Sequence, residues 1–319
     1  PRTAGLRTAA GGGGGQRGVV NQISKGEGDA TMRRTNTSPD IQLFVSCHKT
    51  FPVPRNTLLH PIHVGAALSA DSIAGFLRDD TGENISTLNR RYCELTGQYW
   101  VWKNVEADYC GFFHYRRYLY PDMAARRPYI IRSAPTEVEL EYLGFREFPQ
   151  LIGRYDLIAP IGEDMYISVR KHYASAPFHH AKDLSRVEQI IREQHPDYIP
   201  AMEQYLSNSV CYFGNIFIMA WSVFEDYCRW LFAILAEFDR CADVTDYDPQ
   251  ELRVDGYLAE RLFGIYYTHR RGELRTLELP RVHFEQDDRL RRKQESINAL
   301  LPPGSKRRAT VKRFSARKG

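Results

Sequence analysis

The sequence has no run of about 18 apolar residues, the length a membrane-crossing helix needs. Its most apolar stretch, 215–238, is interrupted by Glu225, Asp226 and Arg229. None of its six cysteines forms a Cys-x-x-Cys pair, so a zinc site built on them is not expected, and reduced, buried thiols of a cytosolic protein are. The N-terminus is rich in Gly and Arg and has no apolar core of a secretory leader; with no spanning run either, a cytoplasmic protein is expected. No internal repeat is visible. What is present is a chain of 319 residues, 43% hydrophobic and 12% aromatic, too apolar to remain unfolded and long enough for one large domain.

The formal charge of +4 is unevenly placed. From Asp287 onward the net charge is +8, over residues 1–40 it is +3, and the stretch between them carries −7. Residues 1–40 also hold nine glycines and read as a disordered leader. The domain is therefore placed at 41–285, followed by a basic tail, 286–319, expected to lack structure. Within the domain the periodicities alternate. Strand patterns are read at 41–47, 109–120, 155–161, 210–219 and 276–284. Helical patterns are read at 84–105, 184–195, 200–206, 223–238 and 255–268. Alternation of this kind predicts an α/β sheet with crossover helices.

Several segments carry more chemistry than a core needs. His48 and Lys49 follow the first strand, where the ligand crevice of an open α/β sheet lies; they face a nucleotide or form an ordinary polar loop. The turn Asp79-Asp80-Thr81-Gly82-Glu83-Asn84 leads into a helix, and its carboxylates either hold a cation or ribose, or cap that helix. Glu94 sits in an aromatic helix with Tyr99, Trp100 and Trp102, so it points to solvent or is held in a polar site, because an unpaired buried carboxylate costs several kcal/mol. His114-Tyr115-Arg116-Arg117 is the most informative segment. Adjacent arginines on an aromatic strand make poor core; they match a pair of phosphates or carboxylates, or else guard an exposed edge. His172, His179 and His180, with Asp183 nearby, point to acceptor contact on a loop more than to a metal, since adjacent histidines face different ways. In Asp255-Gly256-Tyr257-Leu258-Ala259-Glu260-Arg261, Asp255 at the helix start is a candidate N-cap, and Glu260 either forms a structural ion pair with the neighbouring arginine or is free for another role.

Taken in order, these segments resemble the domain-of-unknown-function family 4422, regarded as glycosyltransferases of capsular and exopolysaccharide gene clusters. The likeness rests on Cys47-His48-Lys49, Asp80-Thr81-Gly82-Glu83-Asn84-Ile85-Ser86, Tyr92-Cys93-Glu94-Leu95-Thr96, His114-Tyr115-Arg116-Arg117-Tyr118, Asn215-Ile216-Phe217, Tyr227-Cys228-Arg229-Trp230 and Glu260-Arg261-Leu262-Phe263. Ile216 stands where the family's segment is expected to carry Met. The resemblance implies a single GT-A-like, Rossmann-related domain with a mixed sheet and flanking helices, and a nucleotide-sugar donor, a UDP-sugar foremost. It also implies a hexosyl transfer, galactosyl or galactofuranosyl among the options, to a saccharide or lipid-linked saccharide.

A GT-A sheet ordinarily carries an Asp-x-Asp metal motif at the end of its central strand, and here that place holds His114-Tyr115-Arg116. The expectation is therefore that Arg116 and Arg117 neutralise the donor diphosphate without a metal. His48, Lys49, Asp80, Asn84, Glu94 and His114 are the further donor-side candidates. His179, His180 and Asn215 are placed on the acceptor side, and Glu260 or Asp255 is the candidate base of an inverting transfer. The basic tail suits peripheral contact with an anionic membrane. Specific nucleic-acid binding is not expected of an acidic domain, and the competing class is a sugar- or nucleotide-binding protein without turnover.

Overall fold

Leu43 and Val45 point to one side of the first strand and Phe44 to the other, and all three are buried. The same alternation recurs in Phe112/Phe113, in Leu157/Ile158 and in Phe217/Ile218, whose members join opposite cores. Strands apolar on both faces need helices on both faces. The computed structural model, which describes residues 38–316 with side chains through Val311, has that arrangement.

The strands are β1 (Ile41–Cys47), β2 (Leu59–His63), β3 (Leu77–Arg78), β4 (Tyr109–His114), β5 (Arg117–Leu119), β6 (Tyr129–Arg132), β7 (Leu157–Pro160), β8 (Glu163–Asp164), β9 (Val210–Cys211), β10 (Phe217–Ala220), β11 (Thr276–Leu279) and β12 (Arg281–Phe284). The main sheet runs β11-β7-β10-β4-β1-β2-β3, and β5, β6 and β12 extend it off β4. β1 pairs in parallel with β2 and β4, whereas β10 is antiparallel to both β4 and β7. Gly111 lies where the central strands crowd together: a Cβ there would meet Ile218 at 2.7 Å and Leu43 at 2.8 Å.

One face is covered by α2 (Leu95–Asn104), α5 (Val169–Ser175), α6 (Ala181–Gln194), α7 (Ile199–Ser207), α8 (Trp221–Cys241) and α9 (Val254–Arg270), with α1 (Asn89–Tyr92) leading in. The other face packs on α3 (Glu137–Tyr142) and α4 (Phe148–Ile152). No helix among the described residues is long and apolar enough to cross a membrane.

Five expectations change. The helix read at 84–105 is a 3-10 turn followed by α1 and α2, broken at Cys93, whose φ is 52° and ψ −127°. The strand read at 109–120 is a hairpin whose two-residue turn is Tyr115-Arg116, with His114 opposite Arg117. The strands read at 210–219 and 276–284 each split. The first divides at the left-handed pair Gly214 (φ 96°) and Asn215 (φ 49°). The second divides at Pro280, which has no N–H to continue a ladder, so β11 stays beside β7 while β12 moves to β5 and β6. The tail expected to lack structure is helical instead, forming α10 (Asp288–Leu300) and α11 (Lys306–Ala316). Asp287 caps α10 through the N–H groups of Arg289 and Leu290, and Arg308 donates to the Tyr129 hydroxyl. Residues 1–37 of the expected leader lie outside the described residues.

Candidate active site

At the carboxyl ends of β1 and β4 the sheet opens into a cavity of about 780 Å³, the place an open α/β sheet offers to a ligand. Five segments build it, one of them contributing only Val64, just past the end of β2. Ser46 and His48 come from the end of β1, and His114, Tyr115, Arg116 and Arg117 from the hairpin after β4. Asn89 and Arg90 come from α1, Cys93 and Glu94 from the break between α1 and α2, and Pro249, Leu252 and Arg253 from the turn before α9. The hairpin is what aims the arginines: a strand continued straight past His114 would have carried them away from the sheet's end.

Four arginines therefore face one carboxylate. Arg90, Arg116, Arg117 and Arg253 line the cavity together with Glu94, and among the described residues none of these arginines has a carboxylate within ion-pair distance. Arg116 lies over the Tyr115 ring, 5.1 Å from its centroid, and Arg253 donates to the Cys93 thiol at 3.3 Å. Arg117 is exposed, but its open face is the cavity, and enclosure there lowers its pKa, with Arg281 and Arg116 adding like charge. By contrast, the deeply buried arginines outside the cavity are matched, Arg261 with Glu260 at 2.8 Å and Arg281 with Glu163, and the half-buried Arg78 is matched with Asp80. The histidines of the cavity add no charge at neutral pH. Burial, then Arg117 and Arg116, lowers His114 to about 2; burial, then Lys49 and Arg253, also lowers His48.

Glu94 reaches the cavity at the start of α2, just after the chain bends at Cys93. Cys93 holds a positive φ at a non-glycine position, a conformation costing on the order of 1–3 kcal/mol. Across the site Asn215, itself left-handed, donates Nδ2 to Glu94 Oε1 at 2.7 Å and to the Gly256 carbonyl at 3.2 Å. Enclosure raises the Glu94 pKa, and the Asn215 hydrogen bond works against that rise.

The other sequence candidates go elsewhere. Asp255 is fully buried behind the cavity, bound to Arg91 Nε at 2.9 Å, and burial with the Asp239 carboxylate nearby pushes its pKa up to about 8. No acceptor reaches it. Glu260 spends both oxygens, Oε1 accepting from Gly214 N–H at 2.6 Å and Oε2 from Arg261 at 2.8 Å, so the structural ion pair is the reading that fits. Asp80 is held bidentately by Arg78 outside the cavity. Asn84 closes its own turn, donating to Gly82 O and accepting from Ser86 N–H. No side chain of that turn caps the helical turns that follow it; its hub is Asp79, which accepts from the N–H groups of Gly65 and Ala66 and from the hydroxyls of Ser86 and Thr96.

Lys49 stands over Tyr115, 5.8 Å from its ring centroid, beside the cavity rather than lining it. His179 stacks on Tyr257 at 4.2 Å and His180 on Tyr247 at 4.4 Å, with His180 3.0 Å from Glu251. They do not converge with His172, which lies 3.5 Å from Arg261. Among the described residues no three His, Cys, Asp or Glu side chains gather as a cation's ligands would. At the end of β4, His114, Tyr115 and Arg116 offer no anionic oxygen, so the donor set does not fit the divalent cation of an Asp-x-Asp site.

Arg90 and Arg253 are the cavity arginines that sequence reasoning missed. Arg90-Arg91 repeats the double-arginine signal of Arg116-Arg117, and Arg253 sits two residues before Asp255.

A family model described as domain of unknown function (DUF4422) matches residues 42–271. The structure is similar to the apo structure of WbbM, a bifunctional glycosyltransferase, with a TM-score of 0.72 and 32% identity over 77% of this chain and 45% of that one. The chain thus spans less than half the length of that relative. No curated protein matches it. A mostly parallel central sheet flanked by helices, shared with a glycosyltransferase structure, is a GT-A-like fold.

Proposed function

The chain belongs to the DUF4422 family, and from that membership we propose that it is a glycosyltransferase moving a sugar from a nucleoside-diphosphate donor to a saccharide acceptor. The observation that carries the reading is the set of four unpaired arginines on the cavity at the strand ends. An arginine fork matches phosphate oxygens and stays charged at any working pH. Gathering several without carboxylates is unfavourable until an anion arrives.

In the reaction the bond from the anomeric carbon to the diphosphate oxygen breaks, and its electron pair leaves on the diphosphate. Fixed cations aimed at that oxygen stabilise the charge as it develops. Arg116 and Arg117, on the hairpin, take this role in place of a metal, while His48 and Ser46 at the end of β1 lie where the nucleoside would be seated. A hexose donated from UDP and a polysaccharide-type acceptor are the first substrates to try, and the exposed ring of Phe178 with the His179–Tyr257 stack offers the acceptor a flank beside Arg253.

Release of nucleoside diphosphate from a panel of nucleotide-sugars and acceptors tests the proposal. Turnover that persists in EDTA, and falls at least a hundredfold in Arg116→Ala, is expected. Activity lost in EDTA and restored by Mn²⁺ would overturn the arginine mechanism, and donor binding with no turnover would make the chain a binding protein.

A further inference from the structure

Resting on the transferase reading, we propose that Glu94 is the general base that takes the acceptor's hydroxyl proton, and that Asn215 is the positioning residue that aims it.

Glu94 is the one carboxylate among the residues lining the cavity. Its rivals are spent: Glu260 is held by Gly214 and Arg261, and Asp255 is fully buried. Backbone that is locally unfavourable brackets the Glu94–Asn215 hydrogen bond on both sides. Cys93, immediately before Glu94, and Asn215 itself are two of the four described non-glycine residues with positive φ. Such outliers persist where the surrounding structure imposes them, and they cluster at working sites.

The Asn215 amide is used fully on its donor side, one N–H toward Glu94 and one toward Gly256 O. An amide NH₂ carries two donors and so satisfies the carboxylate and the carbonyl at once, which fixes both its orientation and that of Glu94. The 2.6 Å bond from the adjacent Gly214 N–H to Glu260 ties the same loop to α9.

The chemistry balances with groups already in place. The acceptor O–H bond breaks and its proton passes to a Glu94 carboxylate oxygen. The acceptor oxygen then bonds to the anomeric carbon as the bond to the diphosphate breaks, and the electron pair leaves among the arginines. Glu94 afterwards returns the proton to water. A base acting on an incoming hydroxyl opposite the leaving group inverts the anomeric configuration.

The charged and titratable groups that act on Glu94 are Glu260 from α9, Arg253 from the turn before it, Cys93 from the kink and Arg117 from β5. Enclosure raises the Glu94 pKa and the Asn215 hydrogen bond lowers it, so removing that bond moves the value up.

The test uses the full chain with the donor and acceptor that support turnover. Glu94→Gln is expected to lower kcat by 10²- to 10⁴-fold while binding of the nucleoside diphosphate stays within a few-fold of the parent. Asn215→Ala is expected to shift the acid limb of the kcat–pH profile to higher pH, and Asn215→Asp, which sets an anion against Glu94, to cost more than Asn215→Ala. Glu94→Asp, which keeps the charge but withdraws it by one methylene, serves if Glu94→Gln does not fold; a kcat reduced tenfold or more is expected of it.

A Glu94→Gln kcat within tenfold of the parent, an unmoved acid limb in Asn215→Ala, or a product that retains the donor's configuration would overturn the proposal. Absence of turnover in the parent with every donor would instead sink the transferase reading, so the two failures are distinct.

Discussion

Replacing Arg117 by Gln should cut transfer by about 10²- to 10³-fold and yet make the empty protein more stable. The guanidinium has no carboxylate partner among the described residues. Enclosure disfavours its charge, Arg281 and Arg116 add repulsion, and Glu260 and Glu94 offset part of it. A basic group whose charged form is disfavoured in the fold, but which is charged at every working pH, subtracts from stability across the whole range. Because the cavity admits solvent that screens the repulsion, the gain on removing it is about 0.5–1 kcal/mol. For a domain of this size that is a rise in Tm of about 1–4 °C. Gln keeps the inner part of the stem that packs beside the hairpin, so little packing is lost. The same change takes one fixed cation from the departing diphosphate, worth on the order of 10²–10³ in kcat. Thermal unfolding with and without a nucleoside diphosphate, together with diphosphate release, reads both effects. The parent should be stabilised strongly by the nucleotide and the variant weakly. A variant that melts several degrees lower, keeps its nucleotide-induced shift and turns over normally would refute the idea that Arg117 is held for an anion.

Two further outcomes separate structure from chemistry. Asp79→Ala strips partners from two buried backbone N–H groups and two hydroxyls and should destabilise the fold by about 3 kcal/mol or more, whereas Asp80→Ala breaks a partly exposed pair with Arg78 and should cost under about 1 kcal/mol; urea unfolding compares them, and equal losses would contradict the assignment of the hub to Asp79. Asp255, raised by burial and by Asp239 to about 8, contributes stability that is complete below the ordinary carboxylate range near pH 4 and is lost as pH rises through about 8. Unfolding free energy should therefore fall by a few kcal/mol between pH 5 and 8.5, at about 1.4 kcal/mol per unit of pKa shift, and Asp255→Asn should flatten that slope; an unchanged slope would place the titration elsewhere.

The layers were legible because burial repeats at fixed periods. Phe44 against Leu43 and Val45, and the long apolar stripe of α8, follow from alternation and from 3.6-residue spacing. The breaks were not legible. Nothing in Tyr92-Cys93-Glu94-Leu95 marks a helix stop, since Cys and Glu both continue a helix at small cost; the break is imposed by packing against Gly256, where a Cβ would come within 3.2 Å of the Cys93 sulfur. The hairpin at Tyr115-Arg116 lacks the Asn-Gly or Asp-Gly signal of a tight turn, so the segment reads as a continuous strand. Pro280 did carry a signal, and a stricter reading of proline inside a strand pattern would have split 276–284 in the right place.

Site residues were half-legible for a different reason: what makes an arginine functional here is the absence of a partner, and partners come from distant sequence. Arg261 and Arg281 are almost wholly buried, at 1% and 2% exposure, deeper than Arg116, yet each is matched by a carboxylate and holds the fold together. Of the adjacent pair Arg90-Arg91, one residue bridges Asp239 and Asp255 while the other opens on the cavity; no property of the dipeptide distinguishes them. The charge ledger of the domain supplies the missing constraint. With a net −7 between residues 41 and 286, carboxylates are in excess, and a cation left unpaired among them is not left so for want of anions. Four such cations on one cavity, with Glu94 alone to face them, is an arrangement that solvation and pairing would both oppose, and an incoming diphosphate is the ligand that resolves it.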